Sequence, residues 1–209
     1  MRLDEKYRPR VFEDVAGQDK AVKVLSTVDC GGRGIYITGK SGTGKSTLAL
    51  IVAERVAGCL EGITETTGRE LTVNRLREWH QTVSSGRGLY GGYALIVNES
   101  HGLCVPVVEV FLDVLERLPD YACVIFTTTK GGRDLFDEKL DAAPFASRCL
   151  NIPLAQRDIV QPMAERCKMI AEREGLDGKP IGEYVKLLVQ ERCNMRAALN
   201  FIESGGMLE

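Results

Sequence analysis

The spacing of apolar positions changes along the chain, and the change divides it in two. In the first part, Ile35-Tyr36-Ile37-Thr38, Ala94-Leu95-Ile96-Val97 and the run from Ala122 to Thr129 are continuous apolar or β-branched stretches. Such runs mark strands covered on both faces. Between them lie helical patterns over 18–28 (Ala21, Val22, Val24, Leu25), 46–57 (Leu48, Ile51, Val52, Val56), 71–83 and 105–118. Pro106 falls in the first turn of the last of these, where its missing N–H is harmless. Residues 1–16 are charged and contain Pro9, which predicts an extended arm. Residues 84–92 and 130–144 read as loops, the second with a helical turn, and 150–154 as a short strand or an extended exit. After Pro153 three helical patterns follow, over 157–174, 182–191 and 195–204, with no strand between them. Alternating strands and helices predict an α/β fold, a mostly parallel sheet sandwiched by helices. A small all-helical unit follows it. The boundary falls near Ala155, giving a core over 1–155 and a helical domain over 156–209.

Composition narrows the function. The chain has 209 residues, 44% of them hydrophobic, enough for a buried core. Its 27 basic and 29 acidic residues leave a net charge of -2, so any contact with a polyanion must come from a local patch. Seven cysteines occur without a C-x-x-C pair, which argues against a zinc ribbon and for free thiols in a reducing compartment. The opening residues lack the apolar run of a signal peptide, and no apolar stretch approaches the ~18 residues of a membrane span. A cytoplasmic protein is expected.

The strongest chemical signal lies between the first strand and the second helix. Gly39-Lys40-Ser41-Gly42-Thr43-Gly44-Lys45-Ser46 satisfies the G-x-x-x-x-G-K-[ST] pattern in full. Gly42 and Gly44 let the backbone wrap a phosphate with its N–H groups pointing inward, and the helix N-terminus adds partial positive charge. Lys45 would reach the β- and γ-phosphates, and the Ser46 hydroxyl would ligate Mg²⁺. The pattern predicts a P-loop for a nucleoside triphosphate, ATP with Mg²⁺ before others.

A phosphate-transfer site also calls for acids at the end of a neighbouring strand. Here Asn98-Glu99 follow Ala94–Val97. Asn98 can accept a hydrogen bond from Mg²⁺-bound water but brings no charge. Glu99 fits a base that polarises the attacking water, or a solvated carboxylate at a strand end. Thr127-Thr128-Thr129 could present a hydroxyl near the γ-phosphate, or reflect the β-propensity of threonine alone. Arg148 and Arg196, each in apolar surroundings, fit snorkelling at a core edge or stabilisation of transferring phosphate charge. Arg87, among glycines in 84–92, fits a DNA contact or a solvent loop. His80 and His101 carry no signal.

Taken in order, these segments resemble the AAA+ clamp-loader group, the replication factor C small subunits and bacterial gamma/tau subunits. Lys6-Tyr7-Arg8-Pro9 with Phe12-Glu13-Asp14-Val15-Ala16-Gly17-Gln18 resembles the group's N-terminal signature. Ser147-Arg148-Cys149 resembles its SRC motif, Thr128-Thr129 its sensor 1, and Asn194-Met195-Arg196-Ala197-Ala198-Leu199-Asn200 its sensor 2 helix. The resemblance covers roughly residues 5–203. It implies a P-loop AAA+ core with a helical lid. Tyr7, Arg8 and Pro9 would border the adenine, with Gly17 and Gln18 beside the nucleotide. Ser41, Gly42, Thr43, Gly44, Lys45, Ser46 and Thr47 would hold the phosphates. Lys45, Glu99 and Thr129 would act in catalysis. Arg148 would act as an arginine finger on ATP in a neighbouring subunit, and Arg196 would touch the γ-phosphate from the lid. Expected partners are other AAA+ subunits in a homo- or hetero-oligomer, DNA, and a replication protein such as a sliding clamp, with no membrane. Three departures stand out: Asn98 in place of the group's aspartate, a sequence that ends after the lid without the group's helical collar, and the absence of the zinc module of the bacterial gamma/tau subunits, with only Cys59 in that region. A short phage or plasmid ATPase would fit the second. Related readings are a helicase loader or branch-migration motor, or a slow or non-hydrolysing ATP-binding scaffold.

Overall fold

A computed structural model of the chain describes residues 1–88, 91–129, 145 and 147–208. Its sheet contains β1 (Arg33–Thr38), β2 (Ile63–Thr67), β3 (Tyr93–Asn98), β4 (Ala122–Thr128) and β5 (Cys149–Pro153). The strand order is β2-β3-β4-β1-β5, and every pairing is parallel. After α1 (Leu3–Lys6), the helices around it are α2 (Asp19–Thr27), α3 (Lys45–Ala57), α4 (Val73–Ser84) and α5 (Val105–Glu116). The helices α6 (Val160–Glu174), α7 (Ile181–Gln190) and α8 (Met195–Glu203) follow.

The period-2 geometry of a strand sends alternate side chains to opposite faces. Ile35, Ile37, Ala94, Ile96, Cys123 and Ile125 therefore meet α2 and α3 on one face. Tyr36, Leu95, Val97, Val124 and Phe126 meet α4 and α5 on the other. Both faces are dry, which is why these strands show no polar alternation. The second face is tightened by aromatic edge contacts, Phe126 to Phe145 at 4.7 Å and Phe111 to Phe126 at 5.0 Å between ring centres. The chain leaves β1 for the far edge at β2, returns through β3 and β4, and ends beside β1 at β5. Such a reversal opens a crevice at the carboxyl ends of the strands. The P-loop, Asn98-Glu99 and Thr128-Thr129 all lie at that edge.

The parallel sheet covered by helices, and the helical run after it, are as expected. Two elements differ from the sequence reading. The apolar pattern gives no strand over 63–67, yet β2 forms there: Ile-Thr-Glu-Thr-Thr is an edge strand paired on one side, and Ile63 alone anchors its inner face. The N-terminal arm is not simply extended. It begins with the single turn α1 and has a 3₁₀ turn over Phe12–Asp14. The cause is Leu3, 4% exposed, which packs with Met163, Ile170, Leu199 and Ile202 of the C-terminal helices. The loop expected over 130–144 lies outside the described residues.

The C-terminal helices have an apolar cluster of their own, including Cys167, Tyr184, Leu188 and Ala198. Lys168 pairs with Asp177 at 2.6 Å, and Tyr184 donates to the same carboxylate at 2.7 Å, closing the turn between α6 and α7. Among the described residues no helix is long and apolar enough to cross a membrane. All seven cysteines are free, and burial pushes the Cys149 and Cys167 thiols up to about 12.

Candidate functional site

The P-loop joins β1 to α3, so the strand fixes where it starts and the helix where it ends. Gly42 and Gly44 take φ of 73° and 101°, a region that favours glycine. Gly42 has a second reason to lack a side chain: a Cβ there would come within 1.9 Å of Asn194 Oδ1. Asn194 caps α8 by accepting from Ala197 N at 3.3 Å, and Met195 N donates to Gly42 O at 3.1 Å. The start of α8 thus sits directly on the loop.

Lys45 is 7% exposed. Its ammonium donates to Gly39 O at 2.9 Å and Lys40 O at 2.8 Å, two carbonyls of the loop it belongs to. Burial holds its pKa below the ordinary lysine value; the Glu99 carboxylate opposes that shift and Arg196 adds to it. A buried cation held by carbonyl dipoles at the lip of a glycine loop is a ready partner for phosphate.

A cleft of about 380 Å³ opens over the loop. Its floor is Ser41 to Thr47, its far wall includes Met195, Arg196 and Leu199 of α8, and Tyr7, Arg8 and Pro9 of the arm lie at its side. Glu99 also reaches into it. Arg196 points its Nε to Asp4 at 3.4 Å. The Tyr7 hydroxyl donates to Glu174, and Lys6 pairs with the same carboxylate at 2.6 Å, so the arm is fastened to α6.

At the strand ends, Ser46 Oγ donates to Asn98 Oδ1 at 3.4 Å, and Thr127 Oγ1 donates to the same oxygen at 2.8 Å. The other end of the amide, Nδ2, donates to Glu65 Oε1 at 2.6 Å. Glu99 adopts a left-handed conformation with φ of 48° at the start of a 3₁₀ turn over Ser100–Gly102. That turn brings His101 back to the site, with Nδ1 3.3 Å from Glu99 Oε2 and 3.1 Å from Thr128 Oγ1. Thr129 Oγ1 donates to Glu99 at 3.5 Å.

The structure therefore gathers Ser41 to Thr47, Glu99, Arg196 and the Tyr7–Pro9 segment around one cleft. Asn98 and Thr129 stand next to that group through Ser46 and Glu99. Gly17 and Gln18 sit behind it. Gln18 is 1% exposed and brackets the loop from below, donating to Thr43 O at 3.4 Å and Ala155 O at 3.3 Å while accepting from Ala155 N at 2.8 Å. Arg148 is outside the cleft wall, and its Nε donates to Glu116 on α5 at 2.9 Å. Two participants were missed. His101 carried no sequence signal, because the fold of the turn after Glu99 is what returns its ring. Glu65 lies on a strand the apolar pattern does not reveal.

The donor set suits a phosphate–metal pair. Ser46, Asn98 and Thr127 bring three oxygens together at the start of α3, the hard-oxygen environment that Mg²⁺ takes while keeping several waters. Among the described residues no cluster of three or more His, Cys, Asp or Glu could cage a metal unaided.

Comparison with known proteins gives relatives by sequence and by fold. No protein-family model matches the chain. A DNA polymerase III subunit gamma/tau from Mycoplasma pneumoniae is 28% identical over 153 residues, covering 61% of this chain and 22% of the relative. A replication factor C subunit 4 from Arabidopsis thaliana is 24% identical, covering 98% of this chain and 62% of the relative. A replication factor C small subunit from Methanoregula boonei is 25% identical, covering 98% and 63%. The chain thus spans from about a fifth to under two thirds of the length of these relatives. Among solved structures, the Thermotoga maritima RuvB Holliday junction branch migration motor superposes with a TM-score of 0.70 at 21% identity, over 94% of this chain and 64% of the motor. The fold is the α/β class of this motor, a parallel P-loop sheet covered by helices with an all-helical C-terminal part. Within that class the chain resembles the clamp-loader ATPases, replication factor C small subunits and gamma/tau, as its motifs led one to expect.

Proposed function

We propose that the chain binds ATP with Mg²⁺ in this cleft and hydrolyses it as one subunit of an AAA+ oligomer that loads or remodels replication or repair proteins on DNA. The carrying observation is the buried Lys45 on a glycine loop that the start of α8 touches directly, since it couples phosphate binding to the C-terminal helices. In this reading residues 1–155 are the core and 156–209 a lid. Lys45 and the loop amides hold the phosphates, and Tyr7, Arg8 and Pro9 border the adenine. Glu99 orients the attacking water, with Thr129 and His101 holding its carboxylate. Arg196 exchanges Asp4 for the γ-phosphate. Mg²⁺, held by Ser46 and through water by the Asn98 carbonyl, would neutralise phosphate charge. Arg148, outside its own cleft and resting on Glu116, would act on ATP in the neighbouring subunit. The sequence relatives favour the clamp-loader role over a branch-migration motor or helicase loader.

Steady-state ATP hydrolysis, with and without primed duplex DNA, tests this reading. Turnover that DNA stimulates and that Lys45→Ala abolishes is the expected result. Arg148→Ala and Glu99→Ala, each inactive, should partly restore activity when mixed, because each supplies what the other lacks. Tight ATP binding without turnover in either condition would instead favour a non-hydrolysing assembly scaffold, the reading that the uncharged Asn98 supports.

A further inference from the structure

The side chain at 98 is an amide, and an amide has two nearly isosteric ends. One accepts hydrogen bonds and the other donates them, so its partners decide which way it faces. Two of the partners of Asn98 cannot decide. Ser46 and Thr127 are hydroxyls, able to donate to a carbonyl or to accept from an NH₂. The third can decide, because an ionised carboxylate only accepts. Glu65 Oε1, 2.6 Å from Asn98 Nδ2, therefore requires the NH₂ end and turns the carbonyl toward Ser46.

The placement follows from the sheet. Thr67 of β2 is in register with Asn98 of β3. Glu65, two residues earlier, shares the face of Thr67 and of Ile63, which packs on the α3 side. The strand thus delivers a carboxylate to the same side of the sheet as the P-loop helix. The charge-assisted bond also polarises the amide, strengthening its carbonyl as an acceptor.

We propose that Glu65 is a positioning residue of the metal site. It locks the Asn98 carbonyl toward Ser46 and supplies, one amide removed, the negative charge that an acid at position 98 would bring. This rests on the reading of the cleft as an ATP–Mg²⁺ site. In that reading Asn98 is one half of a pair whose charge has moved from β3 to the edge strand.

The test is nucleotide affinity of the full chain, measured by fluorescence of a labelled ATP analogue, in Mg²⁺ and in EDTA. The quantity read is the ratio of the two affinities. Glu65→Ala should lower that ratio about 10-fold, the usual cost of losing a group that orients a metal ligand. Glu65→Gln keeps an acceptor for Nδ2 and loses only charge, so it should fall between Glu65→Ala and the wild type. Asn98→Asp combined with Glu65→Gln moves the charge back to β3 and should restore the wild-type ratio, making the two substitutions non-additive. A Glu65→Ala ratio within about twofold of wild type, or no restoration in the double variant, overturns the pairing while leaving the ATP site standing. If the wild-type chain binds the analogue no better than Lys45→Ala in either buffer, the ATP reading itself falls and takes this one with it.

Discussion

The sheet side of the cleft and the helical side hold their functional groups by different means. On the sheet side the groups are fixed by backbone: Gly42 and Gly44 shape the loop, Lys45 is buried against two of its carbonyls, and parallel register sets Asn98 beside Thr127. On the helical side they are held by surface charge pairs. The Arg196 side chain is 62% exposed and rests on Asp4, and Lys6 reaches Glu174 from an arm whose hold on the helices includes Leu3. Pairs with one exposed partner are weak and screened by salt, whereas buried backbone geometry does not yield by degrees. One side is built to stay and the other to be exchanged. Substitutions on the sheet side should therefore abolish function, and those on the helical side should grade it.

The largest expected effect is at Lys45. Lys45→Ala removes the one lysine buried in the loop and should weaken ATP binding at least ~100-fold, a loss in the range of charged hydrogen bonds left unmade. Equilibrium binding measures it. A loss under about tenfold would mean that the loop amides alone hold the phosphates. Next comes Gly42→Ala, which strikes where the two sides meet. The new Cβ would lie 1.9 Å from Asn194 Oδ1 and 2.9 Å from Asn194 Cα, on a residue with φ of 73°. The cap can rotate away but the backbone cannot, so the start of α8 must lift or the loop must deform. A stability loss of about 2 kcal/mol in urea unfolding is expected. A neutral result would show that α8 leaves the loop easily.

These contrasts also show what the sequence could and could not reveal. The P-loop was legible because its spacing is its mechanism: each glycine and the lysine occupy positions a phosphate demands. The strands β1, β3 and β4 were legible because two dry faces leave an unbroken apolar run. Glu65 was not, since β2 is an edge strand with one apolar anchor, and its partner at 98 is reached only through strand pairing. His101 was hidden for a similar reason, because a left-handed Glu99 and a single 3₁₀ turn decide where its ring goes. Gln18, expected beside the nucleotide, brackets the loop and Ala155 through hydrogen bonds that no spacing in the sequence reveals. Identity along the chain fixes chemistry where it is local, and side-chain partners across the sheet escape it.

On the helical side, Arg196→Ala should lower ATP affinity about 10-fold through loss of one charge-assisted contact. Its stability should change by no more than ~0.5 kcal/mol, as befits an exposed side chain. Asp4→Ala makes the sharper test, because it frees Arg196 from its partner in the structure. If the Asp4 pair competes with phosphate, this variant binds ATP more tightly than wild type in a titration. If the pair instead orients the guanidinium toward the cleft, affinity falls. The first result would make the helical side an exchange of partners, and the second would make it as preset as the sheet side.

The smallest effect concerns the clasp of the arm on α6, and its sign is fixed by the pKa shifts. The hydrogen bond from Lys6 comes first, then that from Tyr7, in holding Glu174 below its ordinary 4.5. The same pairing raises Lys6 above its ordinary 10.5. A carboxylate with a depressed folded pKa contributes stability that is fully present above the unfolded value and is lost as pH falls through the folded one. A lysine with a raised folded pKa contributes stability that is present below 10.5 and lost above it. The clasp is therefore constant across the neutral range and opens first on the acid side, below 4.5. Glu174→Gln keeps an acceptor for Tyr7 and removes the charge. Compared by urea unfolding, wild type should exceed this variant by a small margin at pH 7, and the margin should close as pH drops below 4.5. Because Lys6 is exposed and Glu174 only half-buried, added salt should narrow the margin at neutral pH as well. No margin at neutral pH would mean the arm is held by Leu3 in its apolar seat, and the helical side would then owe its attachment to burial, as the sheet side does.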